Sequence, residues 1–545
     1  MGTSAAADGL AGTRKAADDP GAATPWPLRP GVVITLATVL GLGLRAFQLS
    51  RPGYLSGLTQ YDDGVYIGNA LSLVNGVIPY RDFAMVQPPG SMLLMVPAAL
   101  LGKAFGSMWA LGAARVLTVA ADTANVAVIG LLVRHRGPLA AGLASGGYAV
   151  YPAALAASQS LFLEPWLNLF CLLGALFLFE GDHLAGGRGA MRGPVLAGIC
   201  FGFAATVKIW ALGPALVACL VCLRARRGAL PFCGGWAAGL AVPCLPFLAL
   251  APSGFGRTVF VSELVQATHG RVGSAPRLAD ITGIIGLTSL RVNPHMWADV
   301  AVSAAIVVLV AAAWIGARRG LRLAALEEYV LFGAVLVTAM MFSPSEWYEH
   351  YAAFAGPFLV LLVALSATAR RGQEAAARPG RPAWAVAAAV VLVLALTAMA
   401  AADVISATRQ RPPASLAAAK ALIPPGACVL TDTVSITIAI DRFTAGSPGC
   451  PQIVDTVGTL ISSTDGQDFD GSLAARLADT RVWQSAFSHA QYVWLIGNGG
   501  NTGARIVWTA ALQAYFVRHF RLFAFPSPFP GKGDVPRGGL YTRRD

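Results

Sequence analysis

Two adjacent aspartates, Asp62 and Asp63, stand in a polar stretch between the first long apolar segment, 31–49, and the next, 90–105. A pair of carboxylates at the edge of a membrane can act as a general base or hold a metal ion for a substrate that arrives from the lipid. Aspartates at this spacing also occur as helix caps in solvated loops. The spacing alone leaves both interpretations open.

Two lone charges lie deep in apolar sequence. Glu164 is the single charged residue between positions 137 and 179, and Lys208 is the single charged residue between positions 194 and 223. An ionisable side chain is costly inside a membrane, so each is a candidate functional residue. The alternatives are a protonated or hydrogen-bonded glutamate at a helix end, and a lysine whose ammonium group reaches the membrane surface.

Other charged and polar residues fall within or beside apolar segments. Arg45 lies near the end of the first segment, and Arg115 and Asp122 lie seven residues apart in the third. That spacing puts Arg115 and Asp122 on one helix face, where they can neutralise the interior of a helix bundle. His350 and Tyr351 begin a late apolar segment, where they can meet a phosphate or serve as interfacial anchors.

The composition requires a membrane protein. Of the 545 residues, 55% are hydrophobic and 12% are charged, and the mean hydropathy is +0.60. These values exclude a soluble enzyme and indicate a chain that spans the bilayer many times. The net charge of +12 comes from basic clusters at the ends of apolar runs, which orient the chain in the membrane and do not indicate nucleic-acid binding.

The apolar segments predict an all-α polytopic protein of about eleven to thirteen transmembrane helices. They lie at 31–49, 88–106, 110–133, 138–157, 163–180, 194–207, 209–223, 232–250, 299–317, 326–342, 351–369 and 383–402.

Basic clusters predict the topology, because they stay in the cytoplasm. This rule places the N-terminus inside and puts Asp62, Glu164, Lys208 and everything after residue 403 on the outer side. If every segment spans, the cluster at 134–136 falls outside, so segment 88–106 is predicted to be re-entrant or interfacial. The clusters used are those at 134–136, 188–192, 224–227, 318–322 and 370–371.

The composition also predicts the domain organisation. Residues 1–30 are predicted to form a disordered cytoplasmic tail. Residues 31–402 are predicted to form the transmembrane domain, whose first outer loop is 50–88. After that the composition becomes mixed and soluble, and residues 403–545 are predicted to form a small extracytoplasmic α/β domain.

The predicted C-terminal domain contains two cysteines, Cys428 and Cys450. Thiols oxidise outside the cytoplasm, so the predicted compartment favours a disulfide between them. Two free thiols, one buried in a strand and one on the surface, are the alternative.

Several short motifs resemble those of the GT-C superfamily of polyprenyl-phosphate-dependent membrane glycosyltransferases, in its protein O-mannosyltransferase and lipid A aminoarabinose transferase-like branch. In that branch an acidic pair follows the first transmembrane helix, and a Pro-Tyr-x-Asp-Phe run and a Pro-Pro step close the loop. The matching residues here are Asp62-Asp63, Pro79-Tyr80-Arg81-Asp82-Phe83, Pro88-Pro89, Leu163-Glu164-Pro165, Thr206-Val207-Lys208 and His350-Tyr351.

The resemblance implies roles for these residues. Asp62 would be the general base and Asp63 would assist it or bind the acceptor. Some relatives carry an acidic residue and a lysine before Pro-Pro, where this chain has Val86 and Gln87. Other residues would therefore have to bind the donor phosphate. The implied phosphate contacts are Lys208, Arg81, Arg45, His350 and Tyr351; the implied acceptor or supporting residues are Asp82, Gln87 and Glu164; and the candidate ligands of a divalent cation, if one binds, are Asp62, Glu164 and His350.

The predicted function is therefore transfer of a sugar from a polyprenyl-phosphate donor to a hydroxyl acceptor on a glycan, lipid or protein, with inversion, at the outer face of the plasma membrane. Two alternatives remain open. A transporter of lipid-linked sugars or solutes also has isolated intramembrane charges, although the two halves show no internal repeat. A non-catalytic scaffold that binds glycan through its outer domain is the other.

Overall fold

The computed structural model places the site within a long helical assembly followed by a small sheet. It describes residues 29–186, 191–261, 273–284, 296–318, 322–344, 346–368, 383–409, 416–463, 473–496, 506–526 and 536–544. The predicted disordered tail, 1–30, lies outside the described residues except for Arg29 and Pro30, and Pro30 begins the first helix.

The helical part follows the predicted apolar segments. Its helices are α1 Pro30–Ser50, α2 Tyr61–Val74, α3 Gly90–Phe105, α4 Ser107–Val133, α5 Pro138–Ala149, α6 Pro152–Ser158, α7 Glu164–Leu178, α8 Arg192–Val207, α9 Leu212–Arg224, α10 Ala229–Leu250, α11 Pro252–Phe255, α12 Ser274–Ile281, α13 Met296–Arg318, α14 Ala325–Met340, α15 Gly356–Ala367 and α16 Ala383–Arg409. Short 3-10 turns occupy Arg134–Arg136, Ile209–Ala211 and Glu349–Phe354, a π-helical turn occupies Gly256–Val261, and a two-stranded hairpin pairs β1 Phe179–Glu180 with β2 His183–Leu184.

Each predicted apolar segment contains a helix, and one is broken. Segment 138–157 divides into α5 and α6, which meet at a bend of 52°. Pro152 starts α6 there, because proline fits the first turn of a helix and not its interior. In the described part of the chain, three helices are each long and apolar enough to cross a membrane, or four if α5 and α6 count as one span. The remaining apolar helices are shorter.

Close packing of α8 between α7 and α10 brings the site residues together. A Cβ on Gly198 or Gly202 of α8 would lie 2.1 or 2.2 Å from a backbone oxygen of α10. Gly235 and Gly239 of α10 meet the backbone of α8 in the same way. Both helices carry glycines four residues apart, the small-residue spacing that lets membrane helices approach closely. This contact fixes α8, whose last residue precedes Lys208.

The C-terminal residues form the predicted α/β unit. Its sheet has the order β3-β4-β6-β5, with β3 parallel to β4 and the other pairs antiparallel. A disulfide joins Cys428 and Cys450, whose Cα atoms are 5.5 Å apart. The elements are α17 Ala417–Leu422, β3 Val429–Thr431, α18 Ser435–Ala439, α19 Thr456–Ser463, α20 Leu473–His489, β4 Tyr492–Leu495, α21 Ala510–His519, β5 Phe520–Ala524 and β6 Gly539–Arg543.

The C-terminal unit has an apolar core of its own and also packs against the helical part. Position 403 lies inside α16, which continues to Arg409. Val434, Ile438 and Val454 belong to the same apolar core as the membrane helices. The segment that contains them therefore rests directly on the helical part, against α2 and α4.

Candidate active site

The first turn of α2 carries both aspartates and meets charged groups from several other elements. Glu164 begins α7, Lys208 follows α8, His350 lies in the 349–354 turn, and Asp455 precedes α19. We call these four residues together with Asp62 the charged site.

Asp63 is buried and fully bonded. Its carboxylate accepts hydrogen bonds from Arg115 and Ser160, from the Thr59 hydroxyl at 2.6 Å and from the backbone N–H of Leu161 at 2.8 Å. Burial by itself would raise the pKa of Asp63, but the Arg115 charge and these hydrogen bonds hold it below its usual value. Asp63 is therefore an ionised anchor that ties α2 to α4 and to the residues before α7.

Asp62, the next residue, has the opposite environment. It is half-buried, and no described residue forms a hydrogen bond or ion pair with its carboxylate. Burial raises the pKa of Asp62 to about 7, and the negative charges of Asp455 and Asp63 add to the rise while Lys208 opposes it. A carboxylate with this pKa and with free lone pairs can accept a proton near neutral pH.

Glu164 and Lys208, predicted separately from their isolation in apolar sequence, form an ion pair. The Lys208 ammonium lies 2.9 Å from Glu164 Oε1, and it also lies 3.5 Å from the Trp210 ring centroid and 4.1 Å from that of Tyr351. Such contacts offset the cost of burying a cation. Glu164 Oε2 has no hydrogen-bond partner within the described ranges.

His350 completes this side of the charged site. Its ring stacks on Phe162 with centroids 3.6 Å apart, and it meets Tyr351 edge to face at 4.8 Å. Burial lowers the pKa of His350 to about 4. The imidazole is therefore neutral near pH 7 and can still donate one hydrogen bond.

Arg45 makes its polar contacts outside the charged site, and its predicted contact with the donor phosphate remains a prediction. It is fully buried and pairs with Asp122 at 2.7 Å. It also donates to the carbonyls of Gly41 and Ala149. Asp122 and Arg115 each form a buried ion pair with a residue of another helix, Arg45 and Asp63 respectively. Helix spacing indicated the face of each charge but could not indicate which helix lies opposite.

Arg81 and Asp82 pair with each other in an exposed turn. Arg81 Nε lies 2.8 Å from Asp82 Oδ1, and the Arg81 side chain is 50% exposed. Asp82 also accepts the Ile78 N–H, which fixes the turn. The backbone carbonyl of Gln87 accepts the Tyr80 hydroxyl at 2.7 Å. The roles predicted for Arg81, Asp82 and Gln87 remain predictions.

The predicted metal ligands do not form a ligand set. Glu164 forms an ion pair with Lys208 through one of its oxygens, and the His350 ring stacks on Phe162. Across the ranges that the structure describes, no group of three or more His, Cys, Asp or Glu side chains is arranged to hold a metal ion.

Three contacts of the first turn of α2 were missed in the sequence. Arg115 was identified as an intramembrane charge, but its partner Asp63 was not. Asp455 and Ser435, which contact the first turn of α2, lie in the mixed C-terminal sequence, where a single aspartate or serine carries no signal. Their proximity depends on the long-range packing of the C-terminal segment onto α2.

Comparison with known proteins places this geometry in a fold class. Residues 86–344, just under half of the chain, match the model of Glycosyltransferase family 87. No curated protein sequence matches.

Three solved structures resemble the chain at low sequence identity. ArnT from Cupriavidus metallidurans in the apo state aligns with 15% identity and a TM-score of 0.52, over 80% of this chain and 91% of ArnT. The same protein bound to undecaprenyl phosphate aligns with 17% identity and a TM-score of 0.46, over 86% of each chain. Oligosaccharyltransferase AglB from Archaeoglobus fulgidus, in complex with an inhibitory peptide and a dolichol-phosphate, aligns with 14% identity and a TM-score of 0.48, over 85% of this chain and 69% of AglB.

The resemblance to apo ArnT covers most of both chains. Together with the family match, it confirms the architecture that the motifs predicted. The chain is a multi-pass membrane protein with the fold of the GT-C superfamily of glycosyltransferases.

Proposed function

We propose that the protein transfers a sugar from a polyprenyl-phosphate donor to a hydroxyl acceptor, with inversion, and that Asp62 is the general base. The observation that carries this proposal is the contrast within the first turn of α2. Asp63 is saturated by four donors, whereas Asp62 has no partner among the described residues and has a pKa of about 7. Fixing one carboxylate rigidly and leaving its neighbour free is the arrangement that a positioned base requires.

The transfer is a single displacement. Asp62 takes the proton of the acceptor hydroxyl, and the hydroxyl oxygen forms a bond to the anomeric carbon of the sugar. The bond between that carbon and the phosphate oxygen breaks at the same time, and the polyprenyl phosphate leaves with the electron pair. Attack on the face opposite the leaving group inverts the anomeric configuration.

Lys208 supplies the positive charge for the leaving phosphate. One of its three N–H donors reaches Glu164, and the ammonium lies between the rings of Trp210 and Tyr351. The ammonium has no second hydrogen-bond partner among the described residues, so its other donors can meet phosphate oxygens, where a fixed cation stabilises the charge that develops as the bond breaks. Neutral His350 provides a further hydrogen-bond donor beside this pair.

An apolar cavity suits the prenyl chain of the donor. It has a volume of about 680 Å³ and is lined by residues of α5, α12, α13, α14, α15 and α16. Tyr151 forms part of its wall and donates a hydrogen bond to the Ile281 carbonyl at 2.6 Å. The Tyr151 hydroxyl also lies 3.4 Å from the carbonyl of Ala352, in the same turn as His350 and Tyr351. The cavity thus adjoins the turn that carries two of the proposed phosphate contacts.

We place the reaction at the outer face of the plasma membrane. The basic clusters put the charged site and the C-terminal unit on that side. The Cys428–Cys450 disulfide supports this placement, because disulfides persist in oxidising compartments.

The experiment is a transfer assay with the purified full-length protein. A panel of synthetic polyprenyl-phosphate sugars is offered with lipid, glycan and peptide acceptors, and nucleotide sugars serve as the alternative donors. The proposal predicts transfer from a polyprenyl-phosphate donor, with a higher kcat/KM for long prenyl chains than for donors truncated to one isoprene unit. Transfer from nucleotide sugars alone would overturn the donor assignment.

A further inference from the structure

The first turn of α2 is held in place by the C-terminal unit. The backbone N–H of Gly64 donates to the Ser435 hydroxyl at 2.9 Å, and that hydroxyl lies 2.9 and 3.0 Å from the carbonyls of Gln60 and Tyr61. Gln60, at the N-cap position of α2, makes no side-chain capping bond. Ser435 therefore caps α2 from a distance of 371 residues along the chain.

Glycine at position 64 permits this contact. A Cβ there would lie 2.2 Å from the backbone nitrogen of Ser435. Any side chain would push the C-terminal segment away from α2. The absence of a side chain at position 64 thus allows α18 to pack closely against the turn that carries Asp62.

A second contact involves the residue immediately before Asp62. The Tyr61 hydroxyl donates to Asp455 Oδ1 at 3.0 Å and accepts the backbone N–H of Thr456 at 2.9 Å. Asp455 also accepts the N–H of Val457 at 2.9 Å, so it caps α19 as well. Asp455 is 2% exposed. A buried carboxylate of the C-terminal unit is therefore fixed against the residue that precedes the proposed base.

We propose that Asp455 is a positioning residue for Asp62, holding the first turn of α2 through Tyr61 and facing the Asp62 carboxylate with its own negative charge. This inference rests on the proposed function and deepens it, because it makes the C-terminal unit part of the catalytic apparatus. Like charge next to a carboxylate favours its protonated form and makes the ionised form a stronger base. Burial raises the pKa of Asp455, and its hydrogen bonds with Tyr61 and with the backbone of Val457 and Gly458 oppose that rise by favouring the ionised form.

Several elements packed against Asp62 carry charged groups that shift its pKa. These groups have both signs, so the effect of Asp455 on the pKa of Asp62 must be separated from the others by substitution of Asp455 itself. The charged and titratable groups that face Asp62 are Asp63 and Tyr66 of α2, Glu164 of α7, Lys208 after α8, Tyr351 of the 349–354 turn, and Asp455.

The test compares Asp455→Asn with Asp441→Asn in the full-length protein. Asp441 is a matched control, because it also lies in the C-terminal unit, accepts the Met108 N–H at the start of α4 at 2.7 Å, and pairs with Lys420. The readout is the pH dependence of kcat/KM for the acceptor. We call the fall of kcat/KM at low pH the acid limb. Asp455→Asn is expected to move the acid limb of wild type to lower pH by on the order of one pH unit. Asp441→Asn is expected to leave the acid limb at its wild-type pH.

Tyr61→Phe separates the hydrogen bond from the charge. It removes the hydroxyl that contacts Asp455 and retains both carboxylates. We expect kcat to fall about threefold to tenfold with little change in KM for the acceptor. This variant decides the question if Asp455→Asn does not fold, because an unchanged kcat in Tyr61→Phe would overturn the positioning role.

The outcomes distinguish this inference from the proposed function. If wild type shows an acid limb that Asp455→Asn does not move, Asp455 is a helix cap and the inference fails while Asp62 remains the base. If wild type transfers sugar without an acid limb, the assignment of Asp62 as the base fails, and the inference fails with it.

Discussion

The interior of the protein holds charges in two kinds of surroundings. In the closed clusters, Asp63 with Arg115 and Asp122 with Arg45, every carboxylate is bonded to an arginine and to further donors. In the charged site, Asp62 has no partner and one oxygen of Glu164 is unbonded within the described residues. Both regions bury charge, but of the two only the charged site leaves carboxylate oxygens without a bond to a described residue. Burial of charge therefore does not by itself identify a catalytic group, and the unbonded carboxylate oxygens are what distinguish the charged site from the closed clusters.

The largest effect that follows from this contrast is loss of activity in Asp62→Asn. Removal of a general base lowers the rate by roughly a hundredfold to ten-thousandfold, and the fold should be unaffected because the carboxylate forms no hydrogen bond or ion pair with a described residue. The measurement is kcat/KM for the acceptor alongside the thermal unfolding midpoint in detergent. Activity within a few-fold of wild type would move the base away from Asp62.

Substitutions in the closed clusters should lower the free energy of unfolding. Asp63→Asn leaves the buried Arg115 without its counter-ion, and loss of one partner of a buried pair costs about 3–5 kcal/mol. Asp122→Asn does the same to Arg45 and is the matched substitution in the second closed cluster. Denaturant unfolding of both variants in detergent checks this expectation. An Asp63→Asn protein that is as stable as wild type but inactive would show that Asp63 takes part in the chemistry.

Lys208→Ala should weaken the use of the donor. The loss of a charged hydrogen bond to phosphate costs about tenfold to a hundredfold in kcat/KM for the donor. Because the Lys208 charge lowers the pKa of Asp62, its removal should also move the acid limb to higher pH. Lys103→Ala is the control, since Lys103 is exposed and bonds to the carbonyl of Val74. Equal KM values for the donor in the two variants would show that Lys208 is a structural residue and does not contact the donor phosphate.

Glu164→Gln should have the smallest effect, about tenfold in kcat/KM, because it loosens Lys208 without removing it. The Glu164 charge raises the pKa of Asp62, so its loss should move the acid limb to lower pH, opposite to Lys208→Ala. Glu180→Gln, just beyond the other end of α7 and exposed, is the control. Acid limbs that shift in the same direction in Glu164→Gln and Lys208→Ala would contradict the arrangement of the charged site.

The sequence was sufficient for the membrane helices and for part of the charged site. Hydropathy located the segments because each helix must be apolar along most of its length, and the isolation of Glu164 and Lys208 marked both as functional candidates. Partners were harder to predict. Arg45 was predicted to contact the donor phosphate, and its pairing with Asp122 was not foreseen. No local pattern in the sequence reveals which helix faces another. Asp455 lies in soluble sequence, where an aspartate is ordinary until packing brings it to α2.

The measurement that tests the central claim most directly is the pH dependence of kcat/KM for the acceptor, with a polyprenyl-phosphate donor. The donor is a phosphodiester and keeps its charge near neutrality, so a limb in this range reports on the protein. With Asp62 as a base of pKa about 7, kcat/KM should fall about tenfold for each pH unit below that value. A kcat/KM that stays constant from about pH 8 to about pH 5 would contradict the account.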